Sequence, residues 1–93
     1  MKYLVVYDVS EDKLRTNIRN VLKDSGGERI QYSAFLIELT ETELHELVAT
    51  IKNIVGTKKA KIVFIPLCKR DLNRVITLIH NYYLPPEEEP VIL

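Results

Sequence analysis

Two stretches of this chain, KYLVVYD at residues 2–8 and AKIVFIPL at residues 60–67, are apolar at both parities of strand spacing. Successive side chains of a strand point to opposite faces of its sheet. Leu4 and Val6 alternate with Tyr3, Val5 and Tyr7, and Val63 and Ile65 alternate with Ile62 and Phe64. A sheet built from such strands must be covered on both faces. The remaining sequence holds helices enough for one.

The first helix is expected to follow residue 8 at once. Ser10 suits an N-cap, Glu11 and Asp12 favour the positive end of the helix dipole, and Leu14, Ile18, Val21 and Leu22 recur at helical spacing until Gly26 and Gly27. ERIQYSAFLIEL, residues 28–39, reads as a short edge strand and a longer one, with a tight bend near Tyr32 and Ser33. Thr40 and Glu43 have capping-box spacing. They open a second helix striped by Leu44, Leu47, Val48, Ile51 and Val55 and ended by Gly56. CKRDLNRV predicts a helical turn and VITLI, residues 75–79, a last short strand.

This order predicts an α+β fold, a ferredoxin-like sandwich with two helices on one face of an antiparallel sheet, forming one domain over residues 1–84. The other face would expose a large apolar surface on a monomer. A homodimer through that face, about a two-fold axis, covers it. A chain of 93 residues also has a small core that gains from a partner. The tail at 85–93, PPEEEPVIL, cannot be helical through its prolines. Its apolar end suits an added edge strand on the partner subunit, the alternative being a frayed terminus.

The apolar fraction of 46% and charged fraction of 28% are those of a folded soluble protein. No apolar run reaches membrane-span length, no signal-peptide pattern opens the chain, and one Cys forms no internal disulfide, so a cytoplasmic protein without membrane contact is expected. The formal net charge of zero argues against a strongly basic nucleic-acid binder. Without Glu87, Glu88 and Glu89, however, the balance becomes 13 basic against 10 acidic residues. Local patches would have to attract any polyanion.

Asp8 is the residue most open to a chemical reading. Asp is disfavoured in strands, and this one ends an apolar strand on the face of Leu4 and Val6. One reading is that it orders the turn into the helix by accepting from backbone N–H groups. The other is a metal ligand. A single carboxylate is a poor Mg²⁺ or Mn²⁺ site, but two copies meeting across a two-fold axis, with water and phosphate oxygens, make a better one for metal-assisted phosphodiester hydrolysis.

Arg15, Arg19 and Lys23, four residues apart, line one helical stripe, and Arg29, Lys58, Lys59, Lys61, Lys69, Arg70 and Arg74 add positive charge elsewhere. The spacing suits a phosphate backbone; a solvated helix face has the same pattern. His45 and His80 are too isolated for a zinc pattern, Cys68 after a buried strand reads as a small core residue, Ser33 has no identifiable base, and SGGE is a helix stop rather than a phosphate loop.

Taken together, YLVVYDVSEDKLRTNIRNVLKDSGGERIQYSAF resembles the N-terminal part of the small CRISPR-associated adaptation proteins of the second (Cas-two) family. The shared elements are Tyr7 and Asp8, Arg15, Gly26, and the run from Arg29 to Phe35; ELTETEL and IVFIPLC also fit. The resemblance extends to about residue 79. It implies a ferredoxin-like homodimer that bridges a CRISPR-associated integrase (the Cas-one family) and holds duplex DNA on its basic surface during spacer acquisition. It also implies metal-dependent endonuclease activity on single-stranded RNA or double-stranded DNA. Asp8 from each subunit then shares one Mg²⁺ or Mn²⁺ ion, with Tyr7, Arg15, Arg29 and Phe35 near that site. The chain departs from the pattern at Asn17, where the family often carries a basic residue. Arg19 lies about 200° further round the helix and is no simple substitute. The departure weighs for scaffolding over catalysis. A toxin-like ribonuclease outside CRISPR adaptation and a small-molecule regulatory module are the alternatives, the latter without a sequence signal.

Overall fold

A computed structural model describes residues 1–81. Its elements are β1 (Lys2–Asp8), α1 (Asp12–Asp24), β2 (Glu28–Gln31), β3 (Ala34–Glu38), α2 (Glu41–Val55), β4 (Lys61–Leu67) and a single-turn α3 (Lys69–Leu72). The four strands form one sheet in the order β2-β3-β1-β4. Every neighbouring pair is antiparallel.

The period of two in β1 sorts its side chains. Val5 and Tyr7 are buried and join Phe35 and Ile37 of β3 in the core, where Leu14, Ile18 and Leu22 of α1 and Leu47 and Ile51 of α2 meet them. Residues four apart on α1 fall on one face, so three leucine and isoleucine side chains suffice to seat that helix. Tyr3, Ile62 and Phe64 pack at the margin of the same core.

The opposite face of the sheet is apolar too. In register, Val63 of β4, Val6 of β1 and Ala34 of β3 form one cross-strand row, and Ile65, Leu4 and Leu36 form the next. Val6, Val63 and Ile65 remain 38–39% exposed, a contiguous aliphatic patch. Asp8 and Lys61 face each other across the strands at one end of it, and Lys2 pairs with Leu67 and Glu38 at the other. An apolar centre with charged ends is the anatomy of an association surface.

The helix termini follow local chemistry. At α2, Thr40 Oγ1 accepts from the Glu43 N–H at 3.1 Å while the Thr40 N–H donates to Glu43 Oε1 at 2.9 Å, the reciprocal capping box that the sequence predicts. Gly56 ends α2 at φ +59, and Gly26 follows α1 at φ +90, both in the left-handed region that favours glycine. The next residue, Gly27, donates to the Leu22 carbonyl at 2.9 Å and closes the end of α1.

Four expectations are corrected. Ser10 is not the N-cap of α1; Glu11 takes that position without a side-chain cap bond, its carboxylate accepting instead from Lys58 Nζ at 2.7 Å. Val48 lies past the edge of the α2 stripe and is exposed, whereas Ile54 packs on the core. Cys68 is exposed rather than buried, with Sγ 3.1 Å from Asp71 Oδ2 at the start of α3. Residues 75–79 do not form a strand: among the described residues the outer edges of β2 and β4 are both open in the sheet, yet the segment pairs with neither, and Ile76 and Leu78 stay exposed. The tail at 85–93 lies outside the described residues.

Candidate functional site

The Asp8 end of the sheet gathers most of the chemically interesting side chains, and strand geometry divides them. Asp8 is exposed on the open face, level with Lys61. Tyr7, its neighbour in sequence, points the other way into the helix-covered core, where its ring stacks on Phe35 at 6.3 Å between centroids with an interplanar angle of 25°. Phe35 is fully buried, so its placement is that of a packing residue supporting Tyr7.

The Asp8 carboxylate accepts no hydrogen bond among the described residues. The turn it precedes is held by other means. Arg15, one turn into α1, reaches back with Nη1 to the Val9 carbonyl at 2.9 Å and the Ser10 carbonyl at 3.5 Å, while Nη2 pairs with Asp12. The Asp12 bond is the chief reason the Arg15 pKa lies above its ordinary value. Arg15 thus ties the start of α1 to the end of β1. Asp8 is left free of that task.

Arg29 does similar work on the other side. A register shift between Arg29 and Gln31 inserts one extra residue in β2 and bends the strand into the turn. Arg29 lies opposite Phe35, and its Nε and Nη2 donate to the Tyr32 carbonyl at 3.2 and 2.6 Å. Its guanidinium also sits 5.0 Å from the centroid of the Tyr32 ring. The Tyr7 hydroxyl donates to the same Tyr32 carbonyl at 3.4 Å. Burial raises the Tyr7 pKa above its ordinary value, opposed by the positive charges of Arg29, Arg19 and Arg15. The charges of three arginines from α1 and β2 therefore act on one buried phenol.

The remaining basic residues are spread more widely. Lys23 is exposed near the C-terminal end of α1. Lys58 is engaged with Glu11, and Lys59, beside it in the loop before β4, is exposed. No group of three or more His, Cys, Asp and Glu residues comes together among the described residues. The described residues of one protomer, offering one carboxylate with Lys61 opposite, do not provide the several oxygen ligands that Mg²⁺ or Mn²⁺ needs. Sequence reasoning passed over Tyr32 as a site residue. The available signal was an aromatic in a turn, three residues after an arginine.

These features place the chain among small two-layer α+β proteins with a four-stranded antiparallel sheet and one apolar sheet face left open. More narrowly, it belongs to the family described as CRISPR associated protein Cas2, whose model matches residues 1–75. Among its relatives, a CRISPR-associated endoribonuclease Cas2 of Methanospirillum hungatei is 40% identical over 82 residues, covering 87% of this chain and 85% of the relative. A protein of the same description from Desulforudis audaxviator is 38% identical over 72 residues, 77% of this chain and 68% of the relative. Cas2 of Streptococcus pyogenes, solved at pH 6.5, superposes with a TM-score of 0.70 at 33% identity, over 84% of this chain and 99% of that one. A chain of a partial Cas6-RT-Cas1–Cas2 complex matches with a TM-score of 0.74 at 26% identity, over 99% of this chain and 98% of that one. Among the described residues no helix is long and apolar enough to cross a membrane.

Proposed function

We propose that this chain is a nucleic-acid-binding scaffold of CRISPR adaptation, acting as a ferredoxin-like homodimer beside a Cas1-family integrase. The observation that carries the reading is the open sheet face, with Val6, Val63 and Ile65 exposed between charged ends, in a chain that resembles one solved within a Cas1–Cas2 assembly. Burying such a patch against a second copy removes apolar surface from water, which favours association by about 25 cal/mol per Å² before the costs of docking. Arg15, Arg19, Lys23, Lys58 and Lys59 are the basic residues assigned to the phosphate backbone of duplex DNA, positions at which charge rather than base identity matters.

Endonuclease activity on single-stranded RNA or double-stranded DNA is a second activity of the same dimer, favoured by the endoribonuclease description of the relatives. Asp8 stands at the end of the open face, unengaged in the turn, where a two-fold axis can bring two copies together around one Mg²⁺ or Mn²⁺ ion. Such an ion supplies charge neutralisation at a phosphate and a more acidic water. Tyr7, Phe35, Arg15 and Arg29 act at that site by fixing the backbone around Asp8.

Light scattering at micromolar concentration tests the dimer: wild type is expected at twice the protomer mass and Val6→Glu at the protomer mass. A monomeric wild type overturns the scaffold as drawn. Spacer acquisition with the integrase is expected to survive Asp8→Ala. Cleavage of RNA or DNA is expected to need both Asp8 and a divalent ion; hydrolysis that persists in Asp8→Ala or in excess EDTA removes the metal site.

A further inference from the structure

Turns between strands favour Gly, Asn, Asp and Ser, each for a backbone reason. The β2–β3 turn instead presents Tyr32, 54% exposed, beside a core that has already buried Tyr7 and Phe35. A large ring at that position gains little from burial. It is nevertheless held firmly. Its carbonyl accepts from Arg29 Nε, Arg29 Nη2 and the Tyr7 hydroxyl, and the Arg29 guanidinium covers one face of the ring at 5.0 Å. With the guanidinium over one face, more than half of the residue still stands open to solvent.

We propose that the open face of Tyr32 is a stacking platform for an unpaired base of a single-stranded nucleic acid, set at the Asp8 end of the sheet. The inference rests on the nucleic-acid reading above and names the substrate form that this end of the molecule accepts. Every base has a π-face, so stacking on one aromatic ring is tolerant of sequence. The guanidinium behind the ring fixes it in place, so little side-chain freedom is lost when a base arrives. The charge of Arg15 acts on both Tyr7 and Tyr32, and that of Arg19 on Tyr7, whose hydroxyl bonds the Tyr32 carbonyl, so the turn lies in positive potential suited to the adjoining phosphates. The Tyr7 N–H donates to the Ser33 carbonyl at 3.0 Å, tying the turn to the last residues of β1 and hence to Asp8. A base inside a duplex is stacked on both sides and has no face to offer. Single strands, loops and frayed ends do.

The test is fluorescence anisotropy with the full-length protein and three probes: a short labelled oligouridylate, an abasic chain with the same number of phosphates, and a blunt DNA duplex. Tyr32→Ala is expected to weaken oligouridylate binding about tenfold, with Tyr32→Phe close to wild type, while the abasic chain and the duplex bind all forms alike. Tyr32→Leu keeps the bulk without the ring and is expected to behave as Tyr32→Ala; matching melting curves establish that each variant is folded. Unchanged oligouridylate binding in folded Tyr32→Ala or Tyr32→Leu overturns the platform, as does an equal loss on all three probes. Wild type that binds the duplex but not oligouridylate overturns the platform and leaves the scaffold standing. Binding to none of the probes overturns both.

Discussion

Phe35→Ala separates a packing role from a chemical one at the most buried of the site residues. The ring has no exposed surface, stacks on Tyr7 at 6.3 Å, and lies level with Val5 of β1 and Arg29 of β2. Its edge also limits the approach at the end of α1, since a Cβ built on Gly27 would lie 3.1 Å from Phe35 Cδ2. A sheet on one side and a helix end on the other give the cavity little freedom to collapse. The expected loss is therefore in the upper range for such truncations, about 3–5 kcal/mol. Small domains are stable by only about 5–15 kcal/mol in total. At roughly 4–8 °C per kcal/mol for a chain of this size, the melting temperature should fall by at least about 12 °C. Circular-dichroism melts at a fixed protomer concentration measure this, fixed because association would itself stabilise the fold. Phe35→Leu retains most of the apolar volume and is expected to keep nucleic-acid binding and any cleavage at temperatures where it is folded. A Phe35→Ala melt within about 3 °C of wild type would refute the packing argument. So would a folded Phe35→Leu protein that binds nucleic acid but has lost all cleavage, since the ring itself would then serve the reaction.

Gly27→Ala places a Cβ 2.7 Å from the Leu22 carbonyl oxygen that Gly27 N–H needs, and should cost about 1–3 kcal/mol by urea denaturation. Gly56→Ala meets no atom within 4 Å, but a φ of +59 with a ψ of −119 lies outside the αL well, so backbone strain alone should cost about 1–3 kcal/mol; a neutral Gly56→Ala in the same titration would sink the strain argument. Thr40→Ala removes the α2 cap at a cost of about 1 kcal/mol. The Thr40 backbone and side-chain bonds hold the Glu43 carboxyl below its ordinary pKa, so their contribution is present above the unfolded value and is lost as pH falls through the folded one. The stability gap between wild type and Thr40→Ala should accordingly narrow in acid, and a gap that widens contradicts the assignment. Arg15→Lys keeps the charge but not the fork that spans the Val9 and Ser10 carbonyls and Asp12. Amide exchange at residues 9–11 should quicken while the salt dependence of duplex binding stays the same; unchanged exchange means the fork holds nothing.

Much of this was legible in the sequence because it is local. Periods of two and near four mark β1, α1 and α2, the Thr40–Glu43 spacing marks a cap, and apolar residues at both parities announce a sheet with two faces to cover. What was not legible depends on which partner each side chain finds once the chain is folded, near or far. Ser10 yields the N-cap position to Glu11, whose carboxylate is engaged by Lys58, 47 residues away. VITLI has the composition of a strand, but composition does not say whether an open edge takes it up, and neither β2 nor β4 does. Arg15 and Arg29 read as positive charges for a polyanion, whereas their forks are partly spent on backbone carbonyls of the turns beside them. Tyr32 becomes conspicuous only once the shift at Arg29 and Gln31 brings the guanidinium over its ring.

The pair Tyr7–Asp8 shows how one strand end can serve folding and chemistry at once. Alternation sends the two side chains to opposite faces, so the same two residues can be under unrelated demands. Tyr7 must satisfy a buried hydroxyl, and does so on the Tyr32 carbonyl, which draws the β2–β3 turn against the end of β1. Asp8 is the reverse, an exposed carboxylate, and it is Arg15 that holds the β1–α1 turn through the Val9 and Ser10 carbonyls. The arginines therefore need not touch a substrate to matter for what Asp8 does. They fix where the strand ends, and in the homodimer proposed above the meeting of Asp8 with its own copy would depend on that position.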